Sequence, residues 1–81
     1  MFTKTSPNAV QSSEGFRVSI AKRYELHYED GGGKILVPIE PMEGGGELLV
    51  STSTISADRR KEVSARISAA LGFLDIQHRF D

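Results

Sequence analysis

Arg23-Tyr24-Glu25-Leu26-His27-Tyr28-Glu29-Asp30-Gly31-Gly32-Gly33-Lys34-Ile35-Leu36-Val37-Pro38-Ile39-Glu40 is the stretch that decides the fold. Its first half alternates. Tyr24, Leu26 and Tyr28 fall on one side and Arg23, Glu25, His27 and Glu29 on the other, the period of two of a strand with one buried face. Glu29 to Lys34 read as a turn whose glycines take positive φ at little steric cost. Ile35, Val37 and Ile39 then share one side of a second strand. Pro38 has no N–H to give a ladder, so this strand lies at an edge, or Pro38 marks a bulge or the strand's end.

Outward from this hairpin the pattern continues. On its N-terminal side Phe16, Val18 and Ile20 alternate with Arg17, Ser19 and Ala21, another half-buried strand. Residues 3–15 are rich in Ser, Thr, Pro, Asn and Gly and read as a mobile leader, which leaves 16–81 as a single domain. On the C-terminal side Pro41 to Gly46 form a second glycine-rich connection, followed by a strand over Glu47–Thr52. A helix starts near Ser56, which can cap its free N–H groups, with Asp58 in the first turn at the positive end of the dipole. Val63, Ile67, Ala70, Leu71 and Leu74 recur on one helical face, with Gly72 as a late helical residue or the C-cap. Ile76-Gln77-His78-Arg79-Phe80 alternates once more as a short closing strand. The order β-β-β-β-α-β predicts an α+β fold: an antiparallel sheet of four to five strands with one helix packed on one face. The other face, bearing Arg23, Glu25, His27 and Glu29, stays in water.

The composition excludes several classes of function. Ten basic and eleven acidic residues in 81 give a net charge of −1, without the excess of Lys and Arg on which nucleic-acid affinity rests. No apolar run approaches the ~20 residues of a membrane span, and the N-terminus carries no apolar signal segment. The chain has no cysteine, so thiol chemistry is excluded and no disulfide framework exists. A soluble cytoplasmic protein with no membrane partner is expected.

No catalytic constellation assembles from the remaining residues. His27 sits between Glu25 and Glu29 on the wet face, a pattern that an exposed strand histidine satisfies without any metal. His78 has no acidic partner in view and reads as a satisfied structural histidine. Asp30-Gly31-Gly32-Gly33-Lys34 lacks the spacing of a phosphate loop and is followed by a strand where such a loop needs a helix. No Ser-His-Asp set forms. Neither a cofactor nor a metal is expected, and the chain is not expected to be an enzyme. Arg59, Arg60, Lys61 and Arg66 form the one basic concentration, and they carry the alternative reading of a small nucleic-acid-binding or regulatory protein. Glu29, Asp30, Glu40, Glu43 and Glu47 gather around the two glycine loops as an acidic rim suited to a basic protein partner.

The run Tyr24-x-Leu26-x-Tyr28-Glu29, a glycine turn, then Ile35-x-Val37-Pro38-Ile39-Glu40 resembles a family of small bacterial immunity proteins from polymorphic toxin systems, the type numbered 74. Leu49-Val50-Ser51, Ile55, the helical Ile67-x-x-Ala70-Leu71-x-x-Leu74 and Ile76 agree with the same pattern. The chain departs from it at Asp75, where a glycine is expected after the helix. The resemblance implies a stoichiometric inhibitor that binds a cognate toxin and protects the producing cell, with no catalytic residues. Glu40 matches an acidic position that ends the third strand. The expected partner surface is therefore Glu25, His27, Glu29, Glu40 and Glu43, on the polar sheet face and acidic rim. An exposed edge strand would equally serve an adaptor or a homodimer.

Overall fold

A computed structural model describes residues 1–42 and 46–81. Seven strands and one helix follow in chain order: β1 (Phe2–Ser6), β2 (Ala9–Ser12), β3 (Arg17–Lys22), β4 (Glu25–Asp30), β5 (Gly33–Pro41), β6 (Leu48–Val50), α1 (Arg60–Phe73) and β7 (His78–Phe80). All seven strands join one sheet in sequence order. β1 to β6 pair antiparallel, whereas β6 and β7 are parallel. A parallel pair cannot be closed by a tight turn, and α1 supplies the crossover. The sheet curls into a half-barrel, with α1 as the single helix among the described residues.

This corrects the expected architecture in three respects: seven strands replace four or five, the sheet is mixed, and it is curled. The first difference comes from the stretch read as a leader. Residues 2–12 form the β1–β2 hairpin, which turns at Pro7-Asn8 and places Val10 opposite Val18 of β3. Ala9, Val10 and Ser12 are buried. Gly15, at φ +95°, turns the chain from β2 toward β3 in a conformation that side chains rarely adopt.

Pro38 marks a change of partner along β5. The register of β5 with β4 runs from Gly33 opposite Asp30 to Pro38 opposite Glu25. From Ile39 onward β5 pairs instead with β6. Pro38, without an N–H, stands where one partner is exchanged for the other, and its carbonyl accepts from Ser51 N–H at 2.9 Å. One nine-residue strand thereby serves two neighbours.

The core lies between α1 and the inner face of the sheet. Of the helical stripe read from spacing, Val63, Ile67, Ala70 and Leu71 are buried against Val10, Val18, Leu26, Tyr28, Val37, Ile39, Val50 and Ile55, while Leu74, at the C-cap, is half-buried. Tyr24 is not among them. It stands in the β3–β4 turn, exposed, with the Arg23 guanidinium 5.5 Å from its ring centre.

The helix ends also differ from expectation. Ser56 does not cap the helix: its carbonyl accepts from Arg59 N–H in a preceding turn, and α1 begins at Arg60 without a side-chain cap. Tertiary anchors do that work, because Ile55 is buried and its carbonyl accepts from Arg60 at 3.0 Å. At the other end Asp75 N–H donates to the Gly72 carbonyl and Ile76 N–H to that of Leu71. These are the two bonds of a Schellman motif, with Asp75 at φ 60° in the position that usually holds glycine. Asp75→Gly is therefore expected to raise stability by about 0.5–1 kcal/mol in urea unfolding, by relieving a left-handed side chain.

Candidate functional site: the outer face of the sheet

Strand alternation that buries Leu26, Tyr28, Val37 and Ile39 directs their neighbours outward. Glu25, His27 and Glu29 of β4 and Glu40 of β5 therefore share the face of the sheet opposite α1. Arg17 and Ser19 of β3 and Lys34 and Leu36 of β5 join them, as the register sets Arg17 opposite Glu29, Glu29 opposite Lys34, Ser19 opposite His27 and His27 opposite Leu36. Leu36 is 50% exposed at the centre of this charged surface. His27 and Glu25 are half-buried; His27 Nε2 approaches Glu25 Oε2 at 3.4 Å, outside hydrogen-bonding geometry, and Lys22 Nζ lies 3.8 Å from the same oxygen.

The acidic rim expected around the glycine loops does not form one cluster. Asp30 stands beside the start of β5 and Glu40 near its end, roughly 20–25 Å apart along the strand. Asp30 is turned inward, and Glu47 lies 3.5 Å from Arg79. Glu43 lies outside the described residues. Of the expected partner-binding residues, the structure brings Glu25, His27, Glu29 and Glu40 to one face. Arg17, Ser19, Lys34 and Leu36 were missed, although the same alternation that exposes Glu29 also exposes them.

Asp30 organises a second polar cluster, at the start of the helix. Its Oδ2 accepts from Arg59 at 2.6 Å, from the Tyr28 hydroxyl at 2.7 Å and from Arg66 at 3.4 Å, and its Oδ1 accepts from Gly32 N–H at 2.8 Å. Arg66 also donates to the Tyr28 hydroxyl at 2.9 Å and lies over the Phe16 ring at 5.0 Å, while Arg59 donates to Glu62 at 2.8 Å. Hydrogen bonds from Arg59 and Tyr28 hold the Asp30 carboxyl at about 2, well below its ordinary value. Hydrogen bonds to Asp30 and Glu62 push the Arg59 guanidinium upward, and the hydrogen bond to the Tyr28 hydroxyl pushes that of Arg66 upward. Burial pushes the Tyr28 phenol up, partly offset by Arg66.

The cluster clasps helix to sheet. Because folding lowers the pKa of Asp30, the unfolded chain binds the extra proton. Its contribution is complete above about pH 4 and is lost as pH falls toward about 2. That contribution is about 1–2 kcal/mol, discounted for partial solvent access. Asp30→Asn should flatten the slope of stability across that window, as read by urea unfolding at stepped pH.

The clasp also bears on the basic residues of the alternative reading. Arg59 and Arg66 hold Asp30, Arg60 holds the Ile55 carbonyl, and Lys61 alone of the four projects into solvent without such a bond among the described residues.

His78 completes the polar inventory. Its Nδ1 lies 2.9 Å from the Ile76 carbonyl, which can only accept, so Nδ1 donates to it, and in the neutral ring Nε2 accepts from the Ser68 hydroxyl at 2.8 Å. A serine, a histidine and an orienting carbonyl have the connectivity of an activated nucleophile. Ser68, however, lies mid-helix, where neighbouring N–H groups are committed to helical carbonyls and offer nothing to an oxyanion. The pair ties α1 to β7. Among the described residues no group of three or more His, Cys, Asp or Glu side chains converges as a metal site, and no helix is long and apolar enough to cross a membrane.

Compared with family models, with curated proteins and with solved structures, the chain matches none of them.

Proposed function

We propose that this chain is a non-catalytic protein-binding module whose working surface is the outer face of β3, β4 and β5. The observation that carries the reading is the asymmetry of the sheet. One face is sealed by α1 over a continuous apolar core, while the other presents Arg17, Glu29, Lys34 and Glu40 around a half-exposed leucine. An apolar centre ringed by charges is how protein interfaces combine burial with orientation. The sequence resemblance to bacterial immunity proteins suggests the class of partner: a toxin encoded beside this chain, bound in stoichiometric complex in the cytoplasm and thereby neutralised.

Co-expression tests this reading. Each protein encoded next to this chain is expressed alone and together with it, and growth is followed. Rescue from a toxic neighbour, with a complex of the two purified proteins, is the expected result. A toxic neighbour that neither binds the chain nor is neutralised by it contradicts the reading.

A further inference from the structure

The outer face is not flat. Arg17, Ser19, His27, Glu29 and Lys34 line a concavity of about 200 Å³. Strand register alone would have Glu29 neutralise its cross-strand neighbours Arg17 and Lys34. It closes on neither: among the described residues no carboxylate oxygen lies within ion-pair distance of Arg17 or Lys34. His27 turns Nε2 toward Glu25, which is not part of the lining. The concavity therefore holds two cations against one carboxylate, with the Ser19 hydroxyl as a further donor. Its sign is opposite to that of the acidic rim expected from sequence.

We infer that this concavity receives the carboxylate of an acidic side chain carried by the protein partner, an inference that rests on the binding function proposed above. Arg17 and Lys34 supply charge-assisted donors on either side and Ser19 a neutral one. Its volume suits a single side chain, since sites for whole small molecules are typically about 300–1,000 Å³. Leu36, next to His27 across the β4–β5 ladder, gives such a partner an apolar contact beside the polar one. Glu29 opposes the incoming charge, so it lowers affinity for anions in general and leaves selection to a carboxylate held in place by the rest of an interface.

Sodium acetate is the probe, titrated into the whole chain at constant ionic strength with chloride as the balancing anion, while the NMR signals of Arg17, Ser19 and His27 are followed. Saturable shifts confined to these residues are expected. They should be lost in the Arg17→Ala/Lys34→Ala double variant and should appear at several-fold lower acetate in Glu29→Gln. All three positions lie on the solvent face, and an unchanged amide spectrum elsewhere establishes that each variant is folded. Shifts that do not saturate, or that persist in the double variant, overturn the inference. A Glu29→Gln variant no more responsive than the parent also overturns it, because the carboxylate would then not border the site. In the second arm, the double variant should weaken a purified complex with the co-encoded partner at least tenfold. A complex of undiminished affinity overturns the inference while leaving the binding function intact. Acetate binding in a chain that neutralises no neighbour instead separates failure of that function from failure of the site.

Discussion

Ile67→Asp is expected to abolish the cooperative unfolding transition of this protein. Ile67 is 0% exposed at the centre of the helical stripe, among Val63, Ala70 and Leu71 and the apolar side chains of the sheet. Shortening it to alanine removes buried methylene groups and leaves a cavity, a loss of about 2–5 kcal/mol. A chain of this length has a total stability of roughly 4–12 kcal/mol, so even that change takes a large share of it. An aspartate adds an ionised group with no partner in an apolar site, and its desolvation exceeds what remains. Far-ultraviolet circular dichroism during urea titration reads the outcome. Gly31→Ala is the control, because a Cβ there meets no atom within 4 Å and its backbone is not left-handed, and it should shift the midpoint only slightly. Near-parental stability of Ile67→Asp would mean that α1 does not lie against the sheet.

Removing residues 1–12 should be nearly as damaging. A disordered leader would be dispensable, but these residues form two strands of the sheet. Val10 is fully buried, and Phe2 packs edge-on against Phe16 at 5.8 Å and beside Phe73 at 5.5 Å. Truncation uncovers Phe16 and Val18 and leaves β3 with an unpaired hydrogen-bonding edge, so aggregation is expected alongside lost stability. Val10→Asp in the full-length chain makes the same point without deleting anything, by placing an unpaired charge opposite Val18. A fragment of residues 13–81 that unfolds at the parental urea concentration would contradict the placement of the hairpin in the core.

What the sequence made legible, and what it hid, follows from the range of the interactions concerned. The helical stripe and the alternation of Leu26, Tyr28, Val37 and Ile39 are local periodicities that burial enforces, and the structure buries them except at Leu74, the last residue of the stripe, which is half-buried. β1 was hidden because only Phe2 of its five residues turns even partly into the core, leaving no apolar alternation to read. A signal was nevertheless present. Pro7-Asn8 is turn chemistry, with proline fixing φ and asparagine tolerating the tight bend, and it joins β-forming Thr3 and Thr5 to buried Ala9 and Val10. The parallel pairing of β6 with β7 was hidden for a different reason: register across a helical crossover depends on how α1 packs, which no window of sequence contains. Tyr24 was misplaced because the alternation of β4 runs one residue too far, into the turn.

The candidate surface was half legible in the same sense. Parity gave Glu25, His27 and Glu29, and carried across to Lys34 and Leu36 it would have given the rest. The acidic rim failed because proximity in sequence was taken for proximity in space, when β5 separates its two halves. The fate of Asp30 could not be read at all. Its partners Arg59 and Arg66 lie 29 and 36 residues away and meet it only through the packing of α1.

Under the proposed function, the partner docks on the outer sheet face and leaves the helix side free. Titration of the purified co-encoded partner against Leu36→Arg and Lys61→Glu, measured by calorimetry, tests it directly. Leu36 lies at the centre of the outer face and Lys61 on the exposed surface of α1. At least a tenfold loss of affinity is expected for Leu36→Arg, with Lys61→Glu close to the parent. Binding retained by Leu36→Arg and lost in Lys61→Glu would contradict it.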